Sequence, residues 1–262
     1  MAKIQKYLIL FFAVIILAVL GVVGFAYRMG TQLSAPANVA IGNLPSDLAG
    51  ESVHIPSTSG SRLAAWVLPG EAKRGVVVLM HGVRASRRSM LDRARFLSTA
   101  GFSVVLFGFQ AHDESPGEFI SFGFLESRDA IAAVQFAHTR FPGEKIGVIG
   151  VSLGGAAALL AQPPLDVEAA ILESVYPSIE EAIADRLQIR LGAPGAWLTP
   201  LFIAQLNLRR GIPSSELRPI ERVKDLHAAK LFIVGEKDRH TTLAESRRLF
   251  EAATEPKALW VI

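Results

Sequence analysis

The sequence predicts an α/β fold, a mostly parallel sheet with helices on both faces, and three observations carry that expectation. Short apolar segments alternate with longer helical ones from Glu51 onward, the order that arises when strands return through crossover helices. Val76-Val77-Val78-Leu79-Met80 is unbroken apolar sequence, as a strand covered on both faces requires. Gly150-Val151-Ser152-Leu153-Gly154 lies where a strand over residues 145–149 gives way to a small-residue helix over residues 155–161. Glycine at both ends of that turn lets the chain bend sharply and lifts the Ser152 hydroxyl clear of the sheet edge.

The first element is an uncharged apolar run over residues 7–27. At 1.5 Å rise, about 20 residues span about 30 Å, the thickness of a bilayer's hydrocarbon. Lys3 and Lys6 precede the run and Arg28 follows it. The positive-inside rule then keeps the N-terminus cytoplasmic and exports the remainder, with Tyr7 and Tyr27 at the two interfaces. Residues 1–30 are therefore expected to be an uncleaved membrane anchor. The alternative is a signal peptide cut at Ala35-Pro36-Ala37, but that site lies about ten residues past a run already too long for a signal's apolar core.

Residues 31–50, rich in Ala, Pro, Gly, Asn and Ser, read as a linker. Residues 51–262 read as the folded domain. Strands at 52–55 and 63–68 flank Ser57-Thr58-Ser59-Gly60 like a hairpin, and the strand at 76–80 follows. Next come a helix at 87–100 ended by Gly101, a strand at 102–107, a helix at 124–138, and the strand–turn–helix around Ser152. Strands at 168–172 and 230–234, a helix at 243–253 and a strand at 258–262 complete the series. Between residues 175 and 223 the alternation yields to apolar helical sequence containing Trp197, Leu198, Leu201, Phe202 and Leu206. That insert covers the site, either as a lid for acyl chains or as a packed cap.

The net charge of +3 is dispersed along the chain, so the basic patch that nucleic-acid binding needs is missing. The chain has no cysteine, which excludes disulfides, a thiol nucleophile and thiolate metal sites. Its histidines show no metal-ligand spacing, and Gly-x-Ser-x-Gly-Gly lacks the lysine of a phosphate loop. No metal or cofactor is expected.

In open parallel sheets the ligand binds at the carboxyl ends of the strands. His81, Ser152, Glu173 and Asp238 each stand just past such an end, so distant residues converge on one edge. A serine hydroxyl attacks a carbonyl only with a base to take its proton and a third group to orient that base. Arg84, Arg87 and Arg88 follow His81-Gly82, and helical spacing puts them on one face. Such a cluster attracts an anionic substrate or lipid headgroup, or is simply a solvated face.

Together these residues resemble the α/β-hydrolase superfamily from Glu51 to the C-terminus. His81-Gly82 matches the family's oxyanion loop, Gly150 to Gly154 its nucleophile elbow, and Gly235-Glu236-Lys237-Asp238 its acid after the next-to-last core strand. Ser121-Phe122-Gly123 leading into Glu126 and Asp129 is similar to the membrane-anchored, bacterial-type members. The resemblance implies Ser152 as nucleophile, Asp238 as orienting acid and the backbone N–H of Val83 in the oxyanion hole. Leu153 completes that hole, since it opens a helix whose free N–H groups favour negative charge. Glu173 is the second candidate for the acid, and a turn-capping role is the alternative for Asp238.

Two departures stand out. Asp113 occupies a loop position where the family usually has glycine, and aspartate tolerates a left-handed backbone better than most residues. The family's catalytic histidine follows the last strand, where Ile262 stands, so a histidine is expected in a longer reading frame. His240 reads as a surface turn residue, with a catalytic role as the alternative. His81 reads as a brace of the oxyanion loop, and His112 as a loop contact. The implied activity is cleavage of a carboxylic ester or thioester, small or lipid-like, through an acyl-serine. The alternatives are a non-catalytic membrane-tethered binding protein on the same scaffold, or a serine peptidase-like member.

Overall fold

The computed structural model describes residues 2–262, with side chains from Ile4 onward, so the charge of Lys3 lies outside them. Eight strands build one sheet: β1 (Glu51–Pro56), β2 (Arg62–Leu68), β3 (Val76–Met80), β4 (Ser103–Phe107), β5 (Ile146–Val151), β6 (Ala169–Glu173), β7 (Ala229–Val234) and β8 (Lys257–Val261). Their spatial order is β8-β7-β6-β5-β3-β4-β2-β1. Every pairing is parallel except those of β2, which runs antiparallel to β1 and β4. The expected strands are all present, most within a residue or two.

Two-residue periodicity divides the core between the faces of the sheet. Val76, Val78 and Met80 of β3, with Val105 and Phe107 of β4, pack against the alanine stripes of α3 (Glu126–Arg140) and α4 (Leu153–Leu160). Leu79, Val104 and Leu106 point the other way, onto α2 (Leu91–Thr99) and Ile41. Each fully buried Val or Leu contributes about 1.5–3 kcal/mol, so both layers are needed to hold the sheet. The helix expected over 87–100 is split: Arg87–Met90 form a 3-10 turn, and α2 begins only at Leu91. Between β6 and β7 the chain makes α5 (Ile179–Leu191), a 3-10 stretch (Ala193–Leu198), α6 (Thr199–Arg210), a second 3-10 turn (Ser214–Leu217) and the short α7 (Pro219–Arg222). The last helix, α8 (Leu243–Ala252), starts with a reciprocal capping box between Thr242 and Glu245.

The N-terminal helix α1 (Ala2–Ser34) departs from the expected boundaries. Residues 4–25 are exposed along their length, and burial begins abruptly at Ala26, which is 2% exposed. Ala26 packs on Leu187 and Phe202 of the insert. Gln205 Nε2 donates to the Ala26 carbonyl at 3.0 Å, and the Arg209 guanidinium lies 4.2 Å from the Tyr27 ring centroid while donating to Thr31 Oγ1. With these partners and no proline before Pro36, the helix runs to Ser34, four residues into the segment expected to be a linker.

The rest of that segment is fastened to the domain as well. Ala37 and Asn38 pair in parallel with His112 and Asp113. The N–H groups of Ile41 and Gly42 donate to the Glu114 carboxylate. A chain expected to be a loose tether is bonded to the hydrolase body because it supplies backbone donors to that loop.

Candidate active site

The turn between β5 and α4 places Ser152 at φ 49° and ψ −108°, a region that costs a non-glycine residue about 1–3 kcal/mol. Surrounding contacts hold it there. Ser152 N–H donates to the Glu173 carbonyl at 2.8 Å, and its own carbonyl accepts from Ala156 N–H at 2.9 Å. The flanking glycines are demanded by close approach. A Cβ on Gly154 would stand 2.2 Å from the Met80 carbonyl oxygen, and one on Gly150 would stand 2.5 Å from Gly155 N. The Ser152 hydroxyl makes no hydrogen bond among the described residues.

The loop after β3 comes up beside this turn, since a Cβ on Gly82 would lie 3.9 Å from the Ser152 Cβ. Val83 and Leu153 line the same cavity, and neither backbone N–H donates to a protein acceptor among the described residues. Two free N–H groups beside a serine hydroxyl are what an oxyanion hole requires.

His81 braces this loop. It is buried, Nδ1 lies 2.7 Å from the Gly82 carbonyl oxygen, and Nε2 accepts from Phe109 N–H at 3.2 Å. Burial drives its pKa down to about 3, with His112 opposing its charge as well, so the ring stays neutral. His112 does similar work: Nε2 accepts from Arg84 N–H at 3.0 Å and Nδ1 faces the Gln110 carbonyl. Burial lowers its pKa too.

Asp113 does adopt a left-handed backbone, at φ +57°, and uses its side chain structurally. Its carboxylate accepts from Arg87 N–H at 3.0 Å and from the Arg87 guanidinium at 2.5 Å, and burial raises its pKa. The expectation of three arginines on one face is therefore corrected. Arg84 sits at φ +56° outside any helix, Arg87 is buried between two carboxylates and the Trp66 ring, and Arg88 is exposed. Of the three, Arg84 alone lines the cavity.

Asp238 is half-buried, and its Oδ1 accepts from the N–H groups of His240 and Thr241 at 2.8 and 3.1 Å. Its Oδ2 accepts nothing among the described residues. Glu173 is committed elsewhere, with both carboxylate oxygens taken by the Arg93 guanidinium. The His240 ring is exposed, and His240 is the one histidine among the described residues lining the cavity. At the end of β8, Glu236 N–H donates to the Ile262 carbonyl at 2.7 Å and Ile262 N–H donates to that of Val234. Ile262 thus lies beside the turn that holds Asp238.

The cavity, about 240 Å³, has an apolar interior from Leu187, Phe202, Leu206 and Tyr176. Sequence reasoning missed two parts of its wall. Met29, Gly30, Leu33 and Ser34 of α1 form one side, and Arg186, Arg190, Arg209 and Arg210 of the insert stand around it. The available signal for the first was the spacing of Met29 and Leu33, four apart, which continues an apolar stripe past Arg28. Behind the site, Glu126 accepts from Ser121, Gly123 and Gln110, and Asp129 from Ser57 and the Gln110 backbone. Burial lifts Asp129 to a pKa of about 7. These carboxyls explain the Ser121-to-Asp129 pattern as scaffolding. No group of His, Cys, Asp and Glu able to hold a metal occurs among the described residues.

Comparison with known proteins gives the family and the fold. An uncharacterized protein of Mycobacterium tuberculosis is 29% identical over 262 residues, covering 95% of this chain and 84% of its own. The uncharacterized protein YqkD of Bacillus subtilis is 25% identical over 211 residues, covering 79% of this chain and 69% of its own. Among solved structures, an esterase of Pyrococcus furiosus superposes with a TM-score of 0.71 at 22% identity, covering 87% of this chain and 88% of that one, which shows a shared fold. Residues 71–231, which include the elbow and the oxyanion loop, match the family described as serine aminopeptidase, S33 (Hydrolase_4). With that match spanning more than half of the chain, and the fold shared with that esterase, the chain belongs to the Hydrolase_4 family of α/β hydrolases.

Proposed function

We propose that the protein is a membrane-anchored serine hydrolase that transfers the acyl group of a carboxylic ester or thioester to water. The observation that carries this reading is the juxtaposition of Ser152, at a strained turn beside the Gly82 loop, with the unspent N–H groups of Val83 and Leu153, two residues that line an apolar cavity. Ser152 Oγ attacks the acyl carbon while its proton passes to an imidazole, and the oxyanion forms against the two N–H groups. Collapse breaks the bond to the leaving oxygen or sulfur, which takes that proton. Water then attacks the acyl-serine through the same base, releasing the acid and regenerating the hydroxyl.

Asp238 is the orienting acid in this scheme, because Glu173 is neutralised by Arg93. The base is an imidazole beside Asp238: His240, or a histidine following β8, which the Ile262–Glu236 bond starts next to that carboxylate. A peptidase acting on free N-termini has to hold an ammonium group. The cavity wall carries five arginines and no Asp or Glu, the wrong sign for that ligand. The uncharged apolar run over residues 7–27 of α1 supports a membrane anchor, and Lys3 and Lys6 before it, against Arg28 after it, support an extracytoplasmic hydrolase domain.

The test is labelling by a fluorophosphonate probe, which needs an activated serine. Wild type labels and turns over 4-nitrophenyl butyrate, and Ser152→Ala does neither. Labelling lost in His240→Gln assigns the base to His240, and labelling retained excludes it. An unlabelled wild type supports the tethered binding protein instead.

A further inference from the structure

We infer that the substrate is an anionic amphiphile drawn from the bilayer that holds α1, an acyl ester with phosphate on its alcohol part, and that the anchor helix forms one wall of its pocket. This deepens the hydrolase reading above and rests on it. The first support is depth. The apolar run of α1, residues 7–27, rises about 30 Å, the thickness of the hydrocarbon, and the helix continues past it to Ser34. Residues 4–25 have no protein cover, and contact with the insert begins at Ala26. That places the hydrocarbon boundary near Tyr27 and Arg28, an aromatic and a cation at the interface. Met29 to Ser34, the cavity wall, then lie about 3–10 Å above Tyr27 along the helix axis. The headgroup layer is about 5–7 Å deep in each leaflet, so the pocket stands at headgroup level.

The second support is the contact between α1 and α6. A Cβ on Gly30 would lie 2.6 Å from Gln205 Oε1, so the two helices meet closely at the pocket. Arg209 of α6 covers Tyr27, which fixes α6 at the same depth, and its neighbour Leu208 is 85% exposed. An apolar side chain presented to solvent at that level is suited to the acyl–headgroup boundary.

The third support is charge. Arg84, Arg186, Arg190, Arg209 and Arg210 line the cavity, and none has a carboxylate within 4.0 Å among the described residues. Arg209 and Arg210 are held in place by the Tyr27 and Phe119 rings, each 4.2 Å away. Guanidinium groups without protein counter-ions, set around an apolar interior, complement a phosphate joined to an acyl chain. Hydrolysis adds water across the acyl C–O bond and yields a fatty acid and a phosphate-bearing alcohol.

The experiment uses the full chain in vesicles of diether phosphatidylcholine, which offer no ester of their own. They carry, as a minor component, either 1-oleoyl-glycerol-3-phosphate or 1-oleoyl-glycerophosphocholine, and oleate release is measured. The phosphate monoester is expected to react about tenfold faster, a charge-assisted preference. Arg190 makes no hydrogen bond or ion pair among the described residues, so Arg190→Gln leaves the fold intact. It lowers that preference, and Arg190→Lys restores part of it. Equal rates on the two lipids overturn the inference while 4-nitrophenyl butyrate turnover continues, whereas loss of that turnover in wild type overturns the hydrolase reading itself. Butyryl-glycerol phosphate in free solution, cleaved as fast as the vesicle-borne ester, overturns the membrane route.

Discussion

Replacing Arg87 by Met tests whether a buried charge holds the oxyanion loop in place. The guanidinium is 3% exposed, with Nη1 2.5 Å from Asp113 and Nη2 2.5 Å from Glu114, and it lies 4.5 Å from the Trp66 ring. Methionine keeps apolar contact with Trp66 but leaves Asp113, which is fully buried, without its counter-charge. Breaking a buried pair from one side costs about 3–5 kcal/mol. Glu114 is about a third exposed, and solvent screening makes its loss minor by comparison. At about 2–4 °C per kcal/mol for a chain of this size, the thermal midpoint falls by about 6–20 °C. Thermal unfolding in detergent of wild type, Arg87→Met, Asp113→Asn and the double variant closes a mutant cycle. The double variant is expected to be more stable than Arg87→Met, because the orphaned charge is gone. A loss below about 1 kcal/mol in Arg87→Met, or a double variant no better than that single one, refutes the reasoning.

Further outcomes follow from the site. Gly154→Ala drives a methyl to 2.2 Å from the Met80 carbonyl oxygen; ester turnover is expected to fall by about 100-fold through misplacement of Ser152, and near-normal turnover of 4-nitrophenyl butyrate would show the elbow to be tolerant. Asp238→Asn lowers kcat by about 10⁴-fold, whereas Glu173→Gln, which only frees Arg93, lowers it by less than about fivefold; steady-state kinetics reversing that order would make Glu173 the acid. Asp185 has its pKa raised from 3.8 to about 7, first by burial and then by the neighbouring Glu245 carboxylate. The folded state therefore binds the proton more tightly than the unfolded chain, and this contribution, complete below about pH 4, is lost as pH rises through about 7. Asp185→Asn flattens the fall in thermal midpoint over that window, and a slope unchanged from wild type would remove Asp185 as its cause.

The sheet was readable because each strand carries its own pattern, apolar runs for β3 and β5 and Gly at the elbow, and these need no tertiary information. Asp113 was legible as a left-handed position from its place in the loop, but its bond to Arg87 was not, since the partners lie 26 residues apart. The same gap misassigned the arginines after His81. Helical spacing put Arg84, Arg87 and Arg88 together, while a positive φ at Arg84 and two carboxylates around Arg87 separate them. The far wall of the pocket was the least legible. Nothing local to Met29 or Leu33 reveals that Phe202 and Gln205, some 170 residues later, come to lie against that helix.

Because α1 enters the domain as one continuous helix bonded at Ala26, Tyr27 and Thr31, helix and domain form one rigid lever. A flexibly tethered enzyme tumbles over the lipid surface, whereas under the membrane-anchored reading proposed above this one inherits the tilt of its helix. Transmembrane helices tilt by about 20° on average, and more when their apolar length exceeds the bilayer. Under that reading bilayer thickness sets the attitude of the hydrolase domain and the height of its pocket, which makes lipid composition a mechanical input to the proposed enzyme.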